Sequence, residues 1–386
     1  MILQYFPGNY VWNLAVSMAI NIGGVYAELD DVLAPLKELP AGDATALDKF
    51  VRALVSLGER LEALAQQDLA AGRKRSASQK YKRACIYYMT GERAQVHGAP
   101  GRAALYRRML DCFEAFRVHS GEACERVEVP FGDTALPALF VPGAGEGPRP
   151  CMVHFQGLDV MKELLYFSGI GKELAARGVS CLIVDHPGVG EALRFRNLTA
   201  TPETEVPARA CLDYLAARPD IDPQRIGIMA LSLGGYYAPR AAGMEPRFAC
   251  CVAWGAVWDF GKRMRLRLEG RGTEPSVPAF FEHVQWVLGA KNTEESTAIT
   301  DRMFLDGVAQ QIRCPILITH GENDRQVPLD QAQLLFDACT NSPRRELKVH
   351  TRAEGGSEHC SVDNFPIAVD YMADWVAETF HTQVAA

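Results

Sequence analysis

Hydrophobic positions in the first third of the chain recur at helical intervals. Between residues 43 and 67 they fall at 47, 50, 51, 54, 57, 61 and 64, the spacing of one helix face. Leu105, Met109, Cys112 and Phe116 repeat the pattern within 99–116. An apolar stretch at 10–25 is interrupted by Asn13, Asn21 and two glycines and has no basic flank. It therefore predicts a buried helix, not a signal peptide or a membrane span. No strand-like alternation occurs here, so residues 1–122 are expected to form a helical domain.

The texture changes at Glu125. Residues 126–129 and 135–141 alternate or run apolar around Gly132-Asp133, which reads as a β-hairpin. A Gly/Pro loop at 143–150 follows. Short β-branched or apolar runs then appear at 151–155, 179–184, 226–229, 250–254, 316–319 and 347–349, separated by helix-length segments. That alternation predicts an α/β domain over residues 123–386, with a mostly parallel sheet covered on both faces. The stretch 258–312 is too long for one crossover and is expected to be a helical insertion.

Composition narrows the class. The 386 residues are 48% hydrophobic and 23% charged, the profile of an ordinary soluble globular protein. A net charge of −7 argues against gripping phosphate backbones, so no nucleic-acid partner is expected. The basic residues Arg73, Lys74, Arg75, Lys80, Lys82 and Arg83 read as a solvated helix face. Eleven cysteines form no CxxC pair and no zinc-type cluster, so a reducing cytoplasm and no metal are expected. Gly188-Val189-Gly190 lacks the third glycine of a dinucleotide fingerprint, and no Gly-Lys-Ser/Thr occurs, so no nucleotide cofactor is expected.

The candidate chemistry lies at strand ends. In Ile228-Met229-Ala230-Leu231-Ser232-Leu233-Gly234, a buried strand runs into a serine with small residues two places to either side. That is the pattern of a nucleophile elbow, with Ala230 replacing the usual first glycine. A serine needs a base, and the base needs an orienting carboxylate. Asp324 follows the late strand at 315–320, with Glu322 as fallback, and His359 follows the last strand. His350 would point from that strand itself, and His154 reads as packing at the end of the first central strand. Two oxyanion donors are expected: the backbone N–H of Leu233, and that of Leu158 in the loop where Gly157 permits close approach. Trp12, Tyr87, Tyr88, Trp258 and Trp286 are aromatic candidates for an apolar substrate pocket; Gly157, Trp258 and Tyr88 are taken as substrate contacts.

These residues resemble the α/β-hydrolase superfamily over about 125–380. The helical N-terminal region and the segments 157–163, 185–191 and 252–259 resemble one subgroup within it. That subgroup contains 2,6-dihydroxypseudooxynicotine hydrolase and fungal polyketide-shortening hydrolases. The resemblance implies an α/β-hydrolase fold with an N-terminal helical cap, Ser232, Asp324 and His359 as a triad, and a homodimer. It also implies hydrolysis of a carbon–carbon bond beside a ketone in a small carbonyl substrate, without cofactor. It implies a role for the acid at Asp159; otherwise Asp159 caps the helix that starts just after it. An ester, lactone or thioester hydrolase, or an acyltransferase, would use the same triad.

Overall fold

The computed structural model describes residues 2–40 and 43–384. Two compact units emerge. Among the described residues, one comprises 2–123 and 275–283, the other 124–274 and 284–384.

The first unit is built from helices Tyr10–Asn21, Tyr26–Leu33, Ala46–Ala70, Lys74–Ala94 and Arg102–Ser120. Along Ala46–Ala70 the buried face runs Phe50, Leu54, Leu57, Gly58, Leu61, Ala65 and Asp68. Leu64, expected on that face, is 39% exposed. At 3.6 residues per turn the stripe passes from Leu61 to Ala65, leaving Leu64 behind its edge. The helix expected over 10–25 stops at Asn21, and Val25 caps the next one. Trp12 stacks on Phe50 with centroids 4.5 Å apart. The basic helix face is partly neutralised within the unit, since Lys80 pairs with Asp68, and Arg83 with Glu28 at 3.1 Å.

In the second unit the strands are β1 (Glu125–Phe131), β2 (Thr134–Val141), β3 (Arg149–Phe155), β4 (Ser180–Val184), β5 (Ile221–Leu231), β6 (Cys251–Trp254), β7 (Ile316–Gly321) and β8 (Arg345–His350). They form one eight-stranded sheet in the order β1-β2-β4-β3-β5-β6-β7-β8. β2 pairs antiparallel with β1 and β4; every pairing from β4 to β8 is parallel. Helices Ile170–Ala176 and Phe365–Val384 pack together, as do Glu205–Ala216 and Gly234–Met244. These layers leave β4, β6 and β7 buried along their whole lengths, which explains their unbroken apolar runs. The expected insertion contains helices Phe260–Leu268, Phe280–Leu288 and Thr293–Thr300, but its residues 275–283 group with the first unit. Among the described residues no helix is long and apolar enough to cross a membrane.

Phe50 is fully buried in the helical unit. Phe50→Ala is expected to destabilise that unit by about 3–5 kcal/mol through lost transfer energy and the cavity left behind, read as an earlier midpoint in urea titration.

Candidate active site

Ser232 follows the last residue of β5 and precedes helix Gly234–Met244. Its φ is 63°, the left-handed region that residues with a Cβ avoid. The turn is tied down by the Ser232 N–H donating to the Trp254 carbonyl at 2.8 Å and the Gly235 N–H donating to the Ser232 carbonyl at 2.7 Å. The small flanking residues have a steric cause. A methyl on Gly234 would lie 2.5 Å from the Cβ of Ala230, so Ala230 is accommodated because its counterpart has no side chain.

The Ser232 hydroxyl lies 2.8 Å from His359 Nε2, and His359 Nδ1 lies 2.7 Å from Asp324 Oδ2. Nδ1–H therefore donates to the carboxylate, which leaves Nε2 as the acceptor for the serine proton. The other Asp324 oxygen accepts the N–H groups of Gln326 and Val327, both at 2.8 Å. The carboxylate is thus fixed in orientation before the imidazole meets it. Burial works against charge on both partners. Even so, their mutual attraction holds Asp324 below the usual carboxylate range and His359 well above the ordinary imidazole value.

The alternative residues stand apart from this hydrogen-bonded chain. Glu322 is exposed and accepts the Arg352 N–H. His350 is buried within β8, which pushes its imidazole down. His154 is fully buried at the end of β3; its Nδ1 pairs with the Phe155 carbonyl, and burial lowers it to about 4.

The loop after β3 runs directly against the elbow. A Cβ on Gly157 would sit 2.8 Å from both the Leu231 carbonyl oxygen and the Ser232 Cβ, and 3.2 Å from the Leu233 nitrogen. Leu233, at the N-cap of its helix, presents its N–H at an end where first-turn donors lack helical acceptors. Leu158 is buried beside Gly157, and Asp159 is half-buried in the bend that follows. Asp159 is not the cap of the next helix, however. The N-cap of Lys162–Phe167 is Met161, and the Lys162 N–H donates to Asp185 at 2.9 Å. A carboxylate reaching in from the β4 loop does the work expected of the local one.

Trp258 is half-buried after β6, with its N–H donating to Gln331 Oε1 at 3.2 Å. Tyr88 requires a correction. It is fully buried in the helical unit, its hydroxyl donates to Glu62 at 2.9 Å, and its ring fills the space beside Gly58. These are the contacts of helix packing, not of a pocket lining, and periodicity alone does not separate the two.

Two features escaped the sequence. Cys360, with φ 49°, directs its thiol to the Trp254 carbonyl at 3.3 Å, and the sulfur lies 3.6 Å from His359 Nε2. The second is an ionic cluster around Lys162. Its ammonium lies 2.7 Å from Glu163 and 2.9 Å from Asp185 and also contacts Glu191, which pairs outward with Arg126 at 2.7 Å. Burial opposes the Lys162 charge, but the three acids hold its proton firmly. Glu163 is raised by burial and by its acidic neighbours, against the pull of Lys162. The only sequence signal was that segments 157–163 and 185–191 carry the family resemblance.

The profile of the prolyl oligopeptidase family matches residues 167–383, a span that includes Ser232, Asp324 and His359. The chain belongs to that family. Among named relatives of this oligopeptidase-family chain, hydrolase acrC of Aspergillus aculeatus is 27% identical over 98% of both chains. The 2,6-dihydropseudooxynicotine hydrolase of Paenarthrobacter nicotinovorans is 26% identical over 83% of this chain and 82% of that one. The crystal structure of a 2,6-dihydroxy-pseudo-oxynicotine hydrolase superposes with a TM-score of 0.75 at 23% identity, covering 94% of this chain and 95% of the other. The protein is an α/β-hydrolase enzyme with the corresponding fold.

Gly157→Ala is expected to push the β3 loop away from Ser232. The rate at which a fluorophosphonate labels Ser232 should then fall about a hundredfold, the scale of a 1 Å misplacement.

Proposed function

We propose that this hydrolase uses Ser232, His359 and Asp324 to cleave a carbon–carbon bond next to a ketone carbonyl in an aromatic or polyketide-like substrate. The observation that carries the hydrolytic part is the continuous hydrogen-bonded chain from the Ser232 hydroxyl through His359 to the buried Asp324. The bond class rests on the likeness to the subgroup that contains 2,6-dihydroxypseudooxynicotine hydrolase and its fungal counterparts.

Ser232 Oγ adds to the ketone carbon while His359 Nε2 takes its proton. Negative charge gathers on the carbonyl oxygen, where the N–H of Leu233, aided by its helix terminus, is the first donor and that of Leu158 the second. Collapse of the adduct breaks the carbon–carbon bond. The electron pair leaves on the departing carbon, delocalised into a ring or a second carbonyl, and accepts a proton from the His359 imidazolium. Asp159, close in sequence to the Gly157 contact, is the second candidate for that proton. Water then enters, gives a proton to His359 and releases the acyl group as a carboxylic acid, regenerating the serine. Trp258 is assigned to the substrate contact, and the helical unit to substrate selection and to a homodimer.

Ser232→Ala is expected to abolish turnover of β-diketones, measured alongside aryl esters on the same enzyme. Fast ester cleavage with no diketone cleavage would move the assignment to an esterase. The base must be neutral to work, and Asp324 keeps His359 protonated to higher pH than a free imidazole. The rate should therefore rise with pH through a value above the ordinary imidazole range. Asp324→Asn removes the attraction, so the rise should shift to lower pH while the plateau drops about 10⁴-fold.

A further inference from the structure

The cluster at Lys162 is unexplained by the chemistry above, and it is costly. The side chains of Lys162, Glu163 and Asp185 are fully buried, and that of Glu191 is 7% exposed. Buried ion pairs of this kind add little stability over well-packed apolar groups, so their position matters more than their strength.

That position is specific. Asp185 Oδ1 accepts the Lys162 N–H at 2.9 Å and lies 3.4 Å from the Gln156 side-chain nitrogen. Oδ2 accepts the Glu191 N–H at 2.9 Å and pairs with the Lys162 ammonium at the same distance. His186, the next residue, places Nε2 3.3 Å from the Gln156 carbonyl. Gln156 and Lys162 bound the arc that holds Gly157, Leu158 and Asp159. One carboxylate thus fastens both ends of the segment whose middle lies against the elbow.

We propose that Asp185, Lys162 and Glu191 are positioning residues that clasp the 157–161 arc at the distance from Ser232 that oxyanion stabilisation requires. Lys162 places its ammonium against the Asp185 carboxylate, and Glu191, braced by Arg126, keeps that ammonium turned towards it. The assignment rests on the serine-hydrolase reading, because a clasp for the arc matters to rate only if charge develops beside Leu233.

The test uses the full-length chain and any acyl substrate the wild type turns over. Lys162→Met and Asp185→Asn should each lower kcat about a hundredfold with KM held, the loss expected when one donor is displaced. An aryl trifluoromethyl ketone, which adds to Ser232 and creates an oxyanion, should lose affinity in step with kcat/KM. The matching alcohol, which cannot form the adduct, should bind as before. Should Lys162→Met and Asp185→Asn not fold, Glu191→Gln, which keeps the Lys162–Asp185 pair, should show a smaller loss of the same kind. Folded variants with normal kcat, or equal weakening of ketone and alcohol, would overturn the clasp. Wild-type protein that fails to react with a fluorophosphonate at Ser232 would instead overturn the serine-hydrolase reading.

Discussion

A serine at φ 63° is the constraint on which the site depends. The strain is worth roughly 1–3 kcal/mol, and it persists only because the surroundings over-determine the turn. β5 fixes the backbone before it, helix Gly234–Met244 fixes the backbone after it, and the Trp254 carbonyl at the end of β6 holds the Ser232 N–H. Relaxing the turn would move the hydroxyl away from His359. The small residues around it follow from the same demand, since the β3 loop must pass within contact of a bent chain.

Two buried networks flank this turn, and each meets the cost of desolvated charge differently. Asp324 is stabilised by two backbone N–H groups and by the imidazole, so its charge is matched by dipoles as well as by a partner. The Lys162 cluster contains no imidazole bridge. It balances acids against bases directly and extends to the surface through Arg126, whose side chain is 37% exposed. The first network leaves one nitrogen directed at the serine hydroxyl. The second turns its acceptors to the Lys162 ammonium, the backbone N–H groups of Lys162 and Glu191, the Gln156 side chain and Arg126.

The parts of the fold that were legible in the sequence are those governed by local pattern. The helical stripe at Phe50, Leu54, Leu57 and Leu61, the apolar strands and the elbow around Ser232 each depend on residues a few positions apart. Asp324 and His359 were legible because chain order restricts which strand end supplies each partner. Leu64 was misread because a tally of apolar positions does not track the slow drift of a helical stripe. Tyr88 was misread because an aromatic facing a pocket and one facing a neighbouring helix have the same spacing. The Lys162 cluster was hidden for another reason. Apart from the adjacent Lys162 and Glu163, its pairs are separated by 23, 29 and 65 positions, and nothing local in a lysine announces that it will be buried. The capping of Lys162–Phe167 by Asp185 belongs to the same class, since the local candidate, Asp159, stood closer along the chain.

The Ser232 hydroxyl and the imidazole that meets it are 127 positions apart, and the imidazole arrives on the loop that follows β8. A chain emerging from the ribosome therefore presents its serine long before the imidazole that meets it has been made. Pairings of such long range are entropically late events in folding. The hydrogen-bonded chain from Ser232 through His359 to Asp324 consequently closes only when the carboxyl-terminal edge of the sheet has docked.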